Sequence, residues 1–227
     1  MAAVTAATSG SRGRADPEAV RRAYDTVAAD YARLLPDTRA EQPAELALLE
    51  AFADAAGPGA VILDAGCGAG RMSRYLADRG HQVEGVDLSP AMVEQARRHH
   101  PDLAFRVGSL DRLPYPDGRF TGVLLWYSVI HTPPADLPTL MAEAVRVLAP
   151  GGQLLVGFQA GTGTRDVSAS YRRLGHEVVL ERHLHEVADV AAGLAAADAR
   201  EVARLVRPGV GHEGEDQAFL HATRARP

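Results

Sequence analysis

The sequence predicts an α/β fold: a doubly wound, mostly parallel sheet with helices on both faces. Three observations predict it. Short apolar runs bounded by glycine alternate with helix-period segments between Ala60 and Gln159, the pattern of βαβ units. Most helix candidates open on a cap-and-proline signal or close on glycine. Near the C-terminus, "REVARLVRP" and "DQAFLHATRAR" are joined by the loop "GVGHEGE". That pair reads as an antiparallel hairpin at one sheet edge.

The elements follow in order. The stretch "MAAVTAATSGSRGRAD" is small and polar, so residues 1–15 are expected to form a disordered tail. Asp16-Pro17 opens a helix in which Val20, Tyr24, Val27, Ala28 and Tyr31 recur at helical spacing. Leu46, Leu48, Leu49 and Phe52 mark a second helix closed by "AAGPG". Together these predict a helical cap over about residues 17–56 of a single domain spanning 16–227. "AVILD" is a buried strand, "GRMSRYLADRG" a helix stopped by Gly80, and "HQVEGVD" a second strand. Ser89-Pro90 opens the next helix. "LAFRVG" and "TGVLLWYSV" are the third and fourth strands. "ADLPTLMAEAVRVLAPGG" is a helix with a Pro-Gly-Gly stop, and "QLLVGFQ" a fifth strand. "GHEVVLERH" is strand-like, and "LHEVADVAAGLAAAD" is helical. The whole is a Rossmann-like sheet.

Composition narrows the function. The 227 residues are 46% hydrophobic, enough for a substantial core, and the formal charge is −5. All 24 basic residues are arginine. No basic patch invites nucleic acid. A lone cysteine, Cys67, rules out an intramolecular disulfide and a cysteine-built metal cluster. No apolar run approaches the ~20 residues that span a bilayer, and no signal-type segment is present. A cytoplasmic protein is expected, monomeric or homodimeric, with no metal, membrane or nucleic-acid partner.

The chemistry concentrates in "VILDAGCGAGRMSRYL". Gly66, Gly68 and Gly70 follow the first strand, with Asp64 two residues ahead of them. In an open parallel sheet, ligands sit beyond the carboxyl ends of the strands. Glycines there allow positive φ and close approach of a ligand to the backbone. A phosphate-binding P-loop needs a lysine that this chain lacks, and a dinucleotide fingerprint needs different glycine spacing. Asp64 would repel a pyrophosphate and attract an ammonium group. Asp87, ending the second strand, stands where an acid accepts hydrogen bonds from ribose hydroxyls. A nucleoside with an amino-acid tail satisfies both acids: S-adenosylmethionine.

The ordered series then resembles class I S-adenosylmethionine-dependent methyltransferases over roughly residues 17–225. "VILDAGCGAGRMSRYLADRGHQVEGVDLSPAMVEQAR" is similar to that family's first two motifs. "LPYPDGRFTGVLLWYSVIHT" and "AEAVRVLAPGGQLLVGFQ" resemble its later ones. The resemblance implies that Asp64, with Gly66, Cys67 and Gly68, surrounds the methionine end of the cofactor. It implies that Asp87 binds ribose, that Leu88 and Met92 flank the adenine, and that Ser109 and Leu110 meet its edge. Trp126 would lie near the methionine group, and Tyr24 and Tyr31 in a lid helix. Two positions depart from the family pattern: Ser109 replaces a common acid, and Phe120-Thr121 replaces Phe-Asp. Cys67 needs no redox role.

The acceptor is expected to be a small molecule, methylated on O, N, S or C, with S-adenosylhomocysteine as product. His131, beyond the fourth strand, is the candidate base should the acceptor need to lose a proton. Tyr127, His131, His176 and His183 are the candidate substrate contacts. Rival readings are a cofactor-binding regulator or cyclase without methyl transfer and, less favoured, an NAD-dependent oxidoreductase.

Overall fold

The computed structural model describes residues 16–211 and 213–226. The expected N-terminal tail and His212 lie outside them. The chain opens with α1 (Pro17–Leu34) and α2 (Pro43–Ala56), followed by β1 (Val61–Ala65), α3 (Arg71–Ala77), β2 (Gln82–Asp87), α4 (Pro90–His99) and β3 (Ala104–Val107). Then come β4 (Phe120–Trp126), a 3-10 turn (Val129–His131), α5 (Leu137–Arg146) and β5 (Leu148–Ala160). The remainder is β6 (Thr164–Asp166), α6 (Ser168–Arg172), β7 (Glu181–His183), α7 (Val187–Ala196), β8 (Ala199–Arg207) and β9 (Asp216–Arg224).

The cap chemistry acts where the sequence places it. The Asp16 carboxylate accepts from the Glu18 amide at the start of α1, and Ser89 Oγ accepts from the Met92 amide at the start of α4. Both helices carry proline in the first turn, where no intrahelical donor is lost.

One seven-stranded sheet has the order β3-β2-β1-β4-β5-β9-β8. The first five strands are parallel; β9 pairs antiparallel with both β5 and β8. Alternation along the strands supplies two apolar faces. Leu63, Val123, Leu125, Leu154 and Val156 pack against α5 and α7 through Leu140, Met141, Val190 and Leu194. Ile62, Leu124 and Leu155 face the other way, onto Leu49 and Phe52 of α2 and Met72 and Leu76 of α3. Fully burying each such side chain contributes about 1.5–3 kcal/mol.

Three local expectations need correction. The Pro-Gly-Gly stretch does not merely stop α5: β5 begins at Leu148 and runs through it, with a register shift opposite Phe120–Gly122. The fourth strand ends at Trp126, because Tyr127 turns into the left-handed region at φ 56°. Of "GHEVVLERH" only Glu181–His183 is strand. It pairs with Thr164–Asp166 in a separate two-stranded sheet that the sequence reading missed. Among the described residues no helix is long and apolar enough to cross a membrane.

Candidate functional site

Strand order reverses between β1 and β4, which makes the carboxyl ends of these strands the natural ligand crevice. A cavity of about 460 Å³ lies there, within the range of small-molecule sites. Its floor is the glycine loop after β1. Gly66 and Gly68 adopt φ of 80° and 53°, conformations that disfavour other L-residues. A Cβ on Gly66 would stand 2.2 Å from Ser128 Cβ. The Gly66 and Cys67 amides donate to Val86 O at 2.7 and 3.0 Å, tying the loop to β2.

Asp87 organises the next wall. One carboxylate oxygen accepts from the Gly68 amide at 2.8 Å and the other from the Ser89 amide at 2.9 Å. Burial raises its pKa, while the Ser89 and Gly68 donors pull it back. Each oxygen keeps a lone pair for a further donor. Leu88, Met92, Ser109 and Leu110 continue the same wall.

Asp64 is 1% exposed. Burial pushes its carboxyl up to about 6, against the opposing effects of the Ser73 hydroxyl and Arg71. Ser73 Oγ donates to it at 2.6 Å. Asp64 and Cys67 do not line the main cavity. They line a smaller one that shares Tyr31, Gly66 and Trp126 with it. Cys67 packs among Val93, Ala96 and Phe105, and burial pushes its thiol well above the usual range. It is held protonated, as an inert packing group needs.

The opposite wall comes from α1. Asp25 fastens this helix to the start of α4: its carboxylate accepts from Ser89 Oγ at 2.6 Å and from the Ala91 amide at 3.2 Å, and Arg21 of the same helix donates to it at 2.8 Å. Tyr24 and Tyr31 thereby face the cavity, edge to face with ring centroids 6.1 Å apart.

Tyr24 meets His131. The Tyr24 hydroxyl and His131 Nε2 are 2.8 Å apart, and His131 Nδ1 lies 2.5 Å from the Glu181 carbonyl oxygen. A carbonyl only accepts, so Nδ1 carries the proton and Nε2 offers its lone pair to the Tyr24 hydroxyl. Desolvation pushes the imidazole down to about 4, outweighing the Glu181 contact. The ring is therefore neutral at pH 7. Burial also holds the Tyr24 hydroxyl well above its ordinary pKa, so it remains a donor.

Of the residues expected at the site, Tyr24, Tyr31, Gly66, Gly68, Asp87, Leu88, Met92, Ser109, Leu110, Trp126, Tyr127 and His131 all line the main cavity. His176 and His183 do not, contrary to expectation. His176 pairs with Asp30 on α1 at 2.8 Å, and His183 sits in the small sheet with Nδ1 3.3 Å from Thr164 Oγ1. No residue of the 161–185 segment lines the cavity; the segment meets it indirectly, through the Glu181 carbonyl on His131 and through Tyr171 packed in the same cluster as Tyr24 and Tyr31.

Sequence reading missed other residues. Asp111, Ser128, Thr132, Asp136 and Thr139 also line the cavity. Arg71 forms a 2.5 Å ion pair with Glu41, which accepts from Trp126 Nε1 at 3.1 Å. No local motif announces that pair. Asp111 and Ser128 stand one residue beyond positions that were singled out, so wider windows around the strand ends would have found them.

The residues present fit a nucleoside joined to an amino acid. Buried Ser128 Oγ has no hydrogen-bond partner and belongs to a residue that lines the cavity. The glycine cradle leaves space that any Cβ would fill. Two buried carboxylates suit hydroxyl and ammonium donors and oppose a pyrophosphate. Among the described residues no group of three or more His, Cys, Asp or Glu is placed to hold a metal ion.

Sheet order, glycine cradle and paired acids define a nucleoside-cofactor domain of the Rossmann-like class. Residues 62–152 match the methyltransferase domain family. The malonyl-[acyl-carrier protein] O-methyltransferase of Serratia marcescens is 32% identical over 120 residues, 53% of this chain and 46% of that one. The demethylmenaquinone methyltransferase of Beutenbergia cavernae is 40% identical over 99 residues, 44% of this chain and 40% of that one. The chain thus spans less than half the length of these curated relatives. The Burkholderia thailandensis 1,6-didemethyltoxoflavin-N1-methyltransferase, solved with S-adenosylhomocysteine, superimposes with a TM-score of 0.70 at 23% identity, covering 99% of this chain and 93% of that one. Over residues 62–152 the chain thus resembles the methyltransferase domain family, and its fold is that of a methyltransferase solved with S-adenosylhomocysteine.

Proposed function

We propose that this chain transfers a methyl group from S-adenosylmethionine to a small-molecule acceptor. The observation that carries the reading is the single cavity in which the glycine cradle and Asp87 face the Tyr24–His131 pair. When bound, the cofactor supplies an electrophilic methyl group on a sulfonium sulfur. Asp87 would hold the ribose, Asp64 the ammonium group, and Leu88, Met92, Ser109 and Leu110 the adenine. Helix α1 acts as a lid that excludes water and fixes the acceptor, the contribution most valuable in a bimolecular displacement; α2, expected to share that role, is instead packed onto the sheet through Leu49 and Phe52 and lines no part of the cavity.

His131 holds the Tyr24 hydroxyl as a donor, which leaves the Tyr24 oxygen able to accept from an N–H or O–H of the acceptor. With its pKa near 4, His131 is a weak base at pH 7. Its role is to position Tyr24 and the acceptor, which suits an atom that is already nucleophilic. The acceptors named for the relatives differ from one another and do not transfer by likeness. A formal charge of −5 disfavours nucleic acid as a partner.

Calorimetry tests the cofactor. S-adenosylmethionine and S-adenosylhomocysteine should bind and NAD should not; tight NAD binding alone would sink the reading. Asp87→Asn should weaken S-adenosylhomocysteine about tenfold, through weaker hydrogen bonds to a neutral acceptor. Transfer of labelled methyl to cell extract separates an enzyme from a protein that only binds the cofactor.

A further inference from the structure

The polar lining of the cavity is one-sided. Asp87, Asp111 and Asp136 line it, and no arginine does. Of the basic side chains nearby, Arg71 is engaged by Glu41 at 2.5 Å and Arg182, whose charge is felt at His131, by Glu215 at 2.8 Å, while Arg112, next to Asp111, is exposed and outside the lining. His131 is neutral and adds no positive charge.

Asp111 and Asp136 have no side-chain hydrogen bond or ion pair among the described residues. Asp136 is the more telling. It occupies the N-cap of α5, where an aspartate usually accepts from its own helix, yet its carboxylate makes no capping bond. It lines the cavity half-buried, with Asp111 at the exposed rim. Tyr24, Trp126 and Tyr127 line the same cavity.

An acceptor bearing a carboxylate or phosphate would lose hydration here and find no cation in return. An ammonium group would gain charge-assisted hydrogen bonds and an aromatic face. Building on the methyltransferase reading, we infer that the cavity recognises an acceptor with a flat apolar body, a basic amino group and no anionic group. Asp136 and Asp111 contact the amino group, and the aromatic rings hold the body.

The test uses the full chain saturated with S-adenosylhomocysteine and three probes sharing one ring: tryptamine, 3-methylindole and indole-3-propionate. Calorimetry should rank them in that order, with the amine on the order of tenfold tighter than the acid. Asp136→Asn, alone and with Asp111→Asn, should bring amine and acid to within about threefold of each other. An acid that binds as tightly as the amine overturns the inference. So does an amine that fails to bind at millimolar concentration, or a ranking that survives both substitutions. The ranking in the unsubstituted protein decides the matter even if a variant folds poorly. Failure of S-adenosylhomocysteine itself to bind would count against the methyltransferase reading; binding with the wrong ranking counts against the acceptor class alone.

Discussion

The two halves of the cavity are built on different principles. The cofactor half comes from consecutive strand ends of one parallel sheet, and its contacts are short in sequence. Ser73 and Asp64 are 9 residues apart, and Gly68 and Asp87 are 19 apart. The acceptor half is assembled from distant segments. Tyr24 and His131 are 107 residues apart, and His131 and Glu181 are 50 apart. A half made of backbone and short loops tolerates little change. A half made of side chains meeting across the fold can be retuned.

The largest expected difference between the halves is steric. Gly66→Val puts a branched side chain 2.2 Å from Ser128 Cβ at φ 80°. Overpacking plus the left-handed penalty should cost about 2–5 kcal/mol. S-adenosylhomocysteine binding should vanish and Tm should fall by several degrees. Gly175, in the 161–185 segment, also has positive φ, but its side-chain direction is open. Gly175→Ala should cost only the backbone part, about 1–2 kcal/mol, and keep cofactor affinity. Equal losses in both variants would erase the contrast.

Asp64 comes next, and its sign is distinctive. Its folded pKa of about 6 lies above the ordinary value of 3.8. The folded state therefore binds the extra proton between pH 4 and 6, so this residue's contribution falls as pH rises through that window. Above pH 6 the buried charge costs about 2–3 kcal/mol. Asp64→Asn should raise the Tm of the ligand-free protein at pH 8. The gain should vanish toward pH 4, and affinity for the cofactor should drop. A Tm difference independent of pH would remove Asp64 from this role.

These contrasts explain what was legible in the sequence. Asp64, Gly66, Gly68 and Asp87 could be read because strand, turn and helix signals within a few residues dictate where such groups stand. Tyr24 and His131 could be listed as candidates but not paired, since only the tertiary fold brings α1 over the turn after β4. His176 and His183 misled for the same reason. Histidines in a connecting segment carry no signal of which way the segment folds, and here a backbone carbonyl, that of Glu181, meets His131. The Glu41–Arg71 pair joins the loop before α2 to the first residue of α3 without any motif.

His131 probes the acceptor half directly. If it orients rather than deprotonates, His131→Ala should raise KM for the acceptor and lower kcat/KM about tenfold, the worth of one or two oriented hydrogen bonds. The pH profile of kcat in the unsubstituted protein should be flat through the usual histidine range, since burial holds the ring neutral down to about pH 4. A titration near pH 6.5 that disappears in His131→Ala, with kcat down about 10²-fold, would instead make it a base.

The smallest expected effect lies at the seam between the halves. Asp25 is the α1 side chain that grips the start of α4, through Ser89 Oγ and the Ala91 amide, and is steadied by Arg21 of its own helix. Ser89 in turn donates its amide to Asp87, so closing α1 and ordering the ribose wall draw on one set of contacts. Asp25→Asn keeps an oxygen but loses the charge and presents an amide where a second acceptor stood. The helix should open about 1 kcal/mol more readily, which hydrogen exchange would record as roughly fivefold faster exchange across Pro17–Leu34. Amides of β1 and β4 should be unchanged, because their pairing does not involve Asp25. Saturating S-adenosylhomocysteine should recover most of the lost protection, since Tyr24 and Tyr31 close over the same cavity. Exchange in α1 that ignores both the substitution and the ligand would show a fixed structural helix, and the lid would have to be sought in the 161–185 segment.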